Sequence, residues 1–199
     1  MIGTLTVAAC QRAPEPLENL QLPVPSPTPT GGRMRYEKQQ QPVFIAPDGS
    51  RHPIASLLVV PRKMAFGDFV WSDPAPGTGH IWIWVDLPRQ LISVFRDTNE
   101  IGTAVIVYGL DGKATPSGAF SILGKERMHR SSSYDADMPY TLWLTRDGVA
   151  IHASVIERGR ATHGCIGIPM DFARTLFAVV RRGDAVFVLP APPSADLDT

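Results

Sequence analysis

Cys165 is one of two cysteines in a 199-residue chain, and it stands in the run Ala161-Thr162-His163-Gly164-Cys165-Ile166-Gly167-Ile168-Pro169. His163 lies two positions before it, and His152, in Ile151-His152-Ala153, lies eleven positions before His163. These residue types suit covalent acyl transfer. A free thiol titrates near about 8.5, so only a few per cent is thiolate at neutral pH, and an imidazole that takes the proton supplies the nucleophile. Gly164 leaves room for a carbonyl substrate to approach the main chain. The N–H groups around Gly164 and Cys165 can then face a developing oxyanion, an arrangement worth roughly 3 to 4 kcal/mol per well-placed donor. The product of the attack is a thioester. Spacing alone admits a second reading with equal ease, an inert core thiol beside two histidines whose polar atoms are satisfied.

Other chemistries fit less well. His152, His163 and Cys165 are all good zinc ligands, but a closed site wants four and the spacing matches none of the usual Cys/His patterns, so no metal and no cofactor are expected. Ser154 has no Gly-x-Ser-x-Gly context for a serine triad. His52, His80 and His129 stand in turn-like polar stretches and read as surface residues. Lys plus Arg equals Asp plus Glu at 19 each, and no basic run tracks a phosphate backbone, so nucleic acid is not an expected partner. A disulfide between Cys10 and Cys165 is disfavoured because Cys10 falls outside the expected folded region.

The elements that must position these residues are mostly strands. Ile81-Trp82-Ile83-Trp84-Val85-Asp86 reads as a strand buried on both faces, and Leu91-Ile92-Ser93-Val94-Phe95-Arg96 as its hairpin return. A third strand follows from Ile101 to Tyr108, a loop through Thr115-Pro116-Ser117-Gly118, and a fourth strand from Ala119 to Leu123. Residues 125–137 are polar and read as a mobile surface loop. Tyr140 to Leu144 and Val149 to Ile151 flank an Asp147-Gly148 turn. The one helix begins at Pro169 or Met170, with Phe172, Leu176, Phe177, Val179 and Val180 as its apolar stripe and Gly183 as its C-terminal cap. Ala185 to Leu189 closes the domain as a strand. Short strands joined by tight turns make the fold mainly β.

Ahead of this domain, Pro at alternating positions makes residues 11–36 an extended linker unable to join a helix or ladder. Residues 37–78 form an extension packed on the domain, irregular with one or two edge strands. The domain proper covers 79–190, and 191–199 is a tail. Val7-Ala8-Ala9-Cys10 resembles the lipobox of bacterial lipoproteins, whose Cys sulfur carries lipid. That resemblance implies a signal-like segment over residues 1–10, cut short of the charged start of a full signal, a location in the cell envelope or periplasm, and membrane attachment through Cys10.

Thr162-His163-Gly164-Cys165 resembles the [Ser/Thr]-His-Gly-Cys signature of the L,D-transpeptidase (YkuD-type) catalytic domain, with His152 at the place of that family's upstream His. Further segments resemble the family in the same order. These are Trp84-Val85-Asp86 on to Phe95, Ala114-Thr115-Pro116-Ser117-Gly118-Ala119-Phe120, Met138-Pro139-Tyr140, Asp147 to Ala153, and Arg182-Gly183-Asp184-Ala185-Val186. The resemblance implies a β-sandwich of short strands with one C-terminal helix after the Cys motif. It also implies roles: Cys165 as nucleophile, His152 as base and later acid, the Ala153 carbonyl orienting the imidazole, and His163 and Gly164 backing the oxyanion donors. Tyr140 and Thr162 would contact substrate. The implied partner is a peptidoglycan stem tetrapeptide, cut between diaminopimelate and D-Ala and passed to a second amine.

Two departures bear on this. The run between His152 and Thr162 is shorter than the commonest family spacing, so the loop over the site is expected to be small. Gly167 stands where Arg or Asn commonly follows Gly-Cys-(apolar), and Lys113, Arg146 and Arg160 are the candidates to replace that side chain. The same departure leaves open a catalytically weakened, wall-binding lipoprotein. Water as acceptor would instead make an L,D-carboxypeptidase or amidase of the same Cys-His pair.

Overall fold

Along one strand Ile81, Ile83 and Val85 alternate with Trp82 and Trp84, and the two sets face different cores. The computed structural model describes residues 28–30, 32–60, 63–109, 113–131, 136–154 and 162–190. The expectations for Val7 to Cys10 and for the tail at 191–199 lie outside those residues. In chain order the strands are β1 (Thr28–Thr30), β2 (Arg33–Arg35), β3 (Val43–Ile45), β4 (Arg51–Pro53), β5 (Ser56–Leu58), β6 (Phe69–Trp71), β7 (Ile81–Asp86), β8 (Leu91–Arg96), β9 (Asn99–Val105), β10 (Gly118–Ser121), β11 (Gly124–Ser131), β12 (Ala136–Trp143), β13 (Ala150–Ala153), β14 (Ile166–Ile168) and β15 (Ala185–Leu189). Among the described residues one α-helix, α1 (Met170–Val179), follows the Cys motif. The fold is mainly β, as the sequence leads one to expect.

Strands β1, β2, β5, β9, β8, β7, β15 and β10 bond in that order into a large sheet, with β6 also on β9, while β11 to β14 form a second sheet and β3 with β4 a hairpin. Ile83, Val85, Ile92 and Val94 from the large sheet are fully buried with Ile151, Ile166 and Ile168 of the second and with Phe172 and Leu176 of α1. Each such side chain contributes roughly 1.5 to 3 kcal/mol of burial. On the opposite face Trp82 stacks on its cross-strand partner Phe95 at 4.0 Å between ring centroids, and Phe44 stacks on Trp84 at 4.7 Å. The β3–β4 hairpin thus covers the outer face of the large sheet, which is why β7 is apolar from Ile81 to Val85.

Several expectations are corrected. Residues 125–131 and 136–137 are strand and not loop: β11 and β12 pair antiparallel from Gly124↔Trp143 to Ser131↔Ala136, and 132–135 lie outside the described residues. These strands read as polar because β11 is largely exposed. The linker reading to residue 36 fails at its end, where β1 and β2 join the large sheet. Arg33 is buried there and donates to Ser56 Oγ at 3.1 Å, to Glu100 O at 2.6 Å and to Ser72 O. The extension at 37–78 holds four strands rather than one or two. The strand expected to run to Tyr108 ends at Val105, because Val107 crosses to the second sheet and bridges Gly167. Gly183 does not cap the helix: Val180 does, with its N–H on Leu176 O at 3.1 Å, and Gly183 turns the chain into β15. His52 is not a surface residue, since its ring lies 4.6 Å from that of Trp82 and 4.9 Å from that of Phe187.

Candidate active site

The register of two short parallel strands decides where the chemistry-bearing residues meet. β13 and β14 pair Ile151 with Ile166, His152 with Gly167 and Ala153 with Ile168. The fully buried Ile151, Ile166 and Ile168 anchor that register in the core. Alternation then turns His152 and Gly167, and by continuation Cys165 immediately before β14, to the opposite face, where both His152 and Cys165 are half-buried. They are diagonal neighbours on adjacent strands. Gly164 reaches the strand with φ of 98°, a conformation glycine adopts without strain. The Thr162 hydroxyl donates to Cys165 O, closing the Thr-His-Gly-Cys turn.

Proton positions follow from the hydrogen bonds. His152 Nδ1 lies 2.8 Å from Ala153 O and donates to it, which leaves the Nε2 lone pair as the proton acceptor. Burial pulls this imidazole below its ordinary range, the bond to Ala153 opposes that, and the neighbouring His129 charge adds to it. Burial pushes the Cys165 thiol above its ordinary range, against the pull of the Ala150 main chain and the Lys113 charge. The thiol donates to Gly148 O at 3.6 Å rather than to the imidazole. Each shift thus favours the uncharged form of its group.

The remaining expected residues are distributed around this pair. His163 is exposed in the turn. Thr162, expected to contact substrate, directs its hydroxyl into its own turn. Tyr140 has φ of 56° and sets its ring edge-on to Phe177 of α1, 5.6 Å between centroids. Of the two described cations among those considered, Lys113 is the one whose charge reaches the thiol; Arg160 lies outside the described residues. Arg146 lines a cavity of about 400 Å³ with Leu123, Gly124, Trp143, Thr145 and Gly148, beside the carbonyl that holds the thiol.

Sequence reading missed two neighbours. His129 is not simply a surface residue: it lies edge-on to Trp143 at 4.8 Å, its Nδ1–H donates to Glu126 Oε2 at 3.0 Å, and its charge reaches His152. Its place on β11 was hidden by reading that strand as a loop. Gly148 was legible as a turn residue, but nothing in its type marks its carbonyl as the thiol's partner. Gly167 has a local cause: a Cβ there would lie 2.6 Å from Val107 Cγ2 and 2.7 Å from Ser154 Cβ.

Residues 80–188, more than half of the chain, match the family model of the YkuD L,D-transpeptidase catalytic domain. No curated protein matches the chain. Among solved structures it is similar to an L,D-transpeptidase from Stackebrandtia nassauensis, at 28% identity over 59% of this chain and 58% of that one, with a TM-score of 0.53. It is also similar to a cysteine-to-serine mutant of the Enterococcus faecium L,D-transpeptidase, at 26% identity over 55% and 50% of the two chains, TM-score 0.50. The fold is shared with L,D-transpeptidase 1 of Mycobacterium tuberculosis at 24% identity, over 56% of this chain and 62% of that one, TM-score 0.51. The matches thus span 50% to 62% of the length of these three proteins.

Proposed function

Because the chain belongs to the YkuD family of L,D-transpeptidase catalytic domains, we propose that it is a cysteine acyl-transferase acting on peptidoglycan stem tetrapeptides. The bond cut is that between diaminopimelate and the terminal D-Ala. The observation that carries this reading is the Nδ1 to Ala153 O bond, which presents the lone pair of a neutral imidazole on the sheet face that Cys165 shares.

In the proposed cycle the Cys165 side chain turns from Gly148 O toward His152, a rotamer change far faster than turnover. Nε2 takes the thiol proton as sulfur attacks the scissile carbonyl carbon. Main-chain N–H groups around Gly164 and Cys165 stabilise the tetrahedral oxyanion, and exposed His163 borders it. When the intermediate collapses the C–N bond breaks, and His152 gives its proton to the departing D-Ala amine. The thioester holds the rest of the stem. A second amine then attacks, passing its proton to His152, and the C–S bond breaks as that proton returns to sulfur. The cavity beside Gly148 supports a peptide lying against this face. The proposed substrate belongs to the cell envelope, and the reading locates the chain there, with Cys10 as its lipid carrier.

The test is incubation with a disaccharide tetrapeptide followed by product mass spectrometry. The reading expects D-Ala release together with a cross-linked or amine-coupled product, and neither from Cys165→Ala. Release without coupling would identify water as the acceptor. Release that persists in Cys165→Ala would reject the cysteine chemistry.

A further inference from the structure

We propose that Lys113 provides a carboxylate subsite beside the thiol, holding the free C-terminal carboxylate of the residue about to leave. This rests on the reaction assigned above. An enzyme that cuts the last peptide bond of its substrate meets that carboxylate one residue from the scissile carbonyl, within about 4 Å of chain. The cation that recognises it must therefore stand next to the nucleophile.

Position 167, two residues past the sulfur, cannot supply that cation. Val107 and Gly167 exchange main-chain hydrogen bonds at 2.9 and 2.8 Å, and Val107 and Ser154 fill the space a side chain would need. A cation here has to come from another element.

Lys113 comes from the segment packed on the glycine that precedes Cys165. Its carbonyl lies 3.7 Å from the point where a Gly164 Cβ would stand, and only 2.3 Å from the corresponding point at Gly109. Gly109 N donates to Thr115 Oγ1 at 2.9 Å and Thr115 N to Gly109 O at 3.3 Å, so the segment's main chain is clamped where the lysine leaves it. The residue is exposed at the site, not buried beneath it. Its charge reaches both the Cys165 thiol and the Asp147 carboxylate, in the turn whose Gly148 carbonyl accepts from the thiol. A positive charge at that spot matches a carboxylate one residue downstream of the attacked carbonyl, as a charge-assisted contact.

The experiment compares kcat/KM for a stem tetrapeptide with a free C-terminus and for the same peptide as its C-terminal amide, in the full chain. A charge-assisted contact corresponds to a preference of roughly ten- to hundredfold for the free acid. Lys113→Met is expected to lose most of that preference by slowing the acid alone, Lys113→Arg to keep it, and Arg146→Ala, on the cavity side of the turn, to keep it as well. Circular dichroism and alkylation of Cys165 by iodoacetamide establish that each variant is folded. The inference is overturned if wild type shows no preference, if Lys113→Met slows both peptides equally by acting on the thiol, or if Arg146→Ala abolishes the preference instead. A wild type that releases D-Ala from neither peptide sinks the assigned reaction rather than the subsite.

Discussion

Burial acts in opposite directions on the two groups that exchange a proton in the proposed cycle, lowering the imidazole and raising the thiol. Both shifts favour the neutral form. The signs for stability follow. Below its ordinary value of 6.5, His152 takes up a proton in the unfolded chain before the folded one, so stability falls with decreasing pH from there. Above 9.0 the unfolded thiol ionises first, so stability falls with increasing pH. Between those values neither group opposes folding. Thermal melts should show this plateau, with His152→Gln flattening the acid side and Cys165→Ala the alkaline side. The proposed cycle needs the base neutral, and burial holds the His152 imidazole below its ordinary value of 6.5, so the acid limb of kcat/KM should lie below that value. His152→Gln should lower turnover by roughly 10²- to 10⁴-fold. At Gly167, replacement by Arg should not improve the enzyme: overpacking against Val107 and Ser154 costs roughly 1 to 3 kcal/mol, read by denaturant unfolding, and shifts the strand that carries the sulfur.

At the scale of elements, apolar strands were legible and polar ones were not. Ile81 to Asp86, Leu91 to Arg96 and Ala185 to Leu189 announce themselves because both of their faces are covered. The β11 strand reads as a loop because its composition is polar and no apolar alternation marks it, and with it the place of His129 is lost. Prolines in residues 11–36 argued against a ladder, yet β1 holds Pro29 opposite Met34. That strand lies at the sheet's edge, where a missing N–H costs little. Arg33 could not be read as a core residue from its type. The structure gives it three acceptors. Removing a guanidinium that satisfies several buried groups should cost roughly 2 to 4 kcal/mol. Arg33→Met is accordingly expected to lower the denaturation midpoint with little change in the alkylation rate of Cys165.

On the whole molecule, the two cores divide the labour. The inner one, between the sheets and α1, fixes the β13–β14 register that brings the histidine and the cysteine to one face. The outer one, around Phe44, Trp82, Phe95 and Phe187, lies on the far side of the large sheet. Phe44→Ala should therefore cost roughly 3 to 5 kcal/mol of stability while leaving kcat/KM near wild type at temperatures where the chain stays folded. The motif order was readable in the sequence because each motif is local. The surroundings of the thiol were not, since its burial and its Gly148 acceptor arise only when separate segments meet.

The central claim is that the Cys165 sulfur takes the acyl group of a stem peptide with His152 as its base. Intact-protein mass spectrometry during turnover of a defined tetrapeptide tests it most directly. The account predicts an adduct equal to the substrate less D-Ala, mapped by proteolysis to Cys165, absent in Cys165→Ala and forming far more slowly in His152→Gln. An adduct on another residue, or one that forms at an unchanged rate without the imidazole, would contradict it.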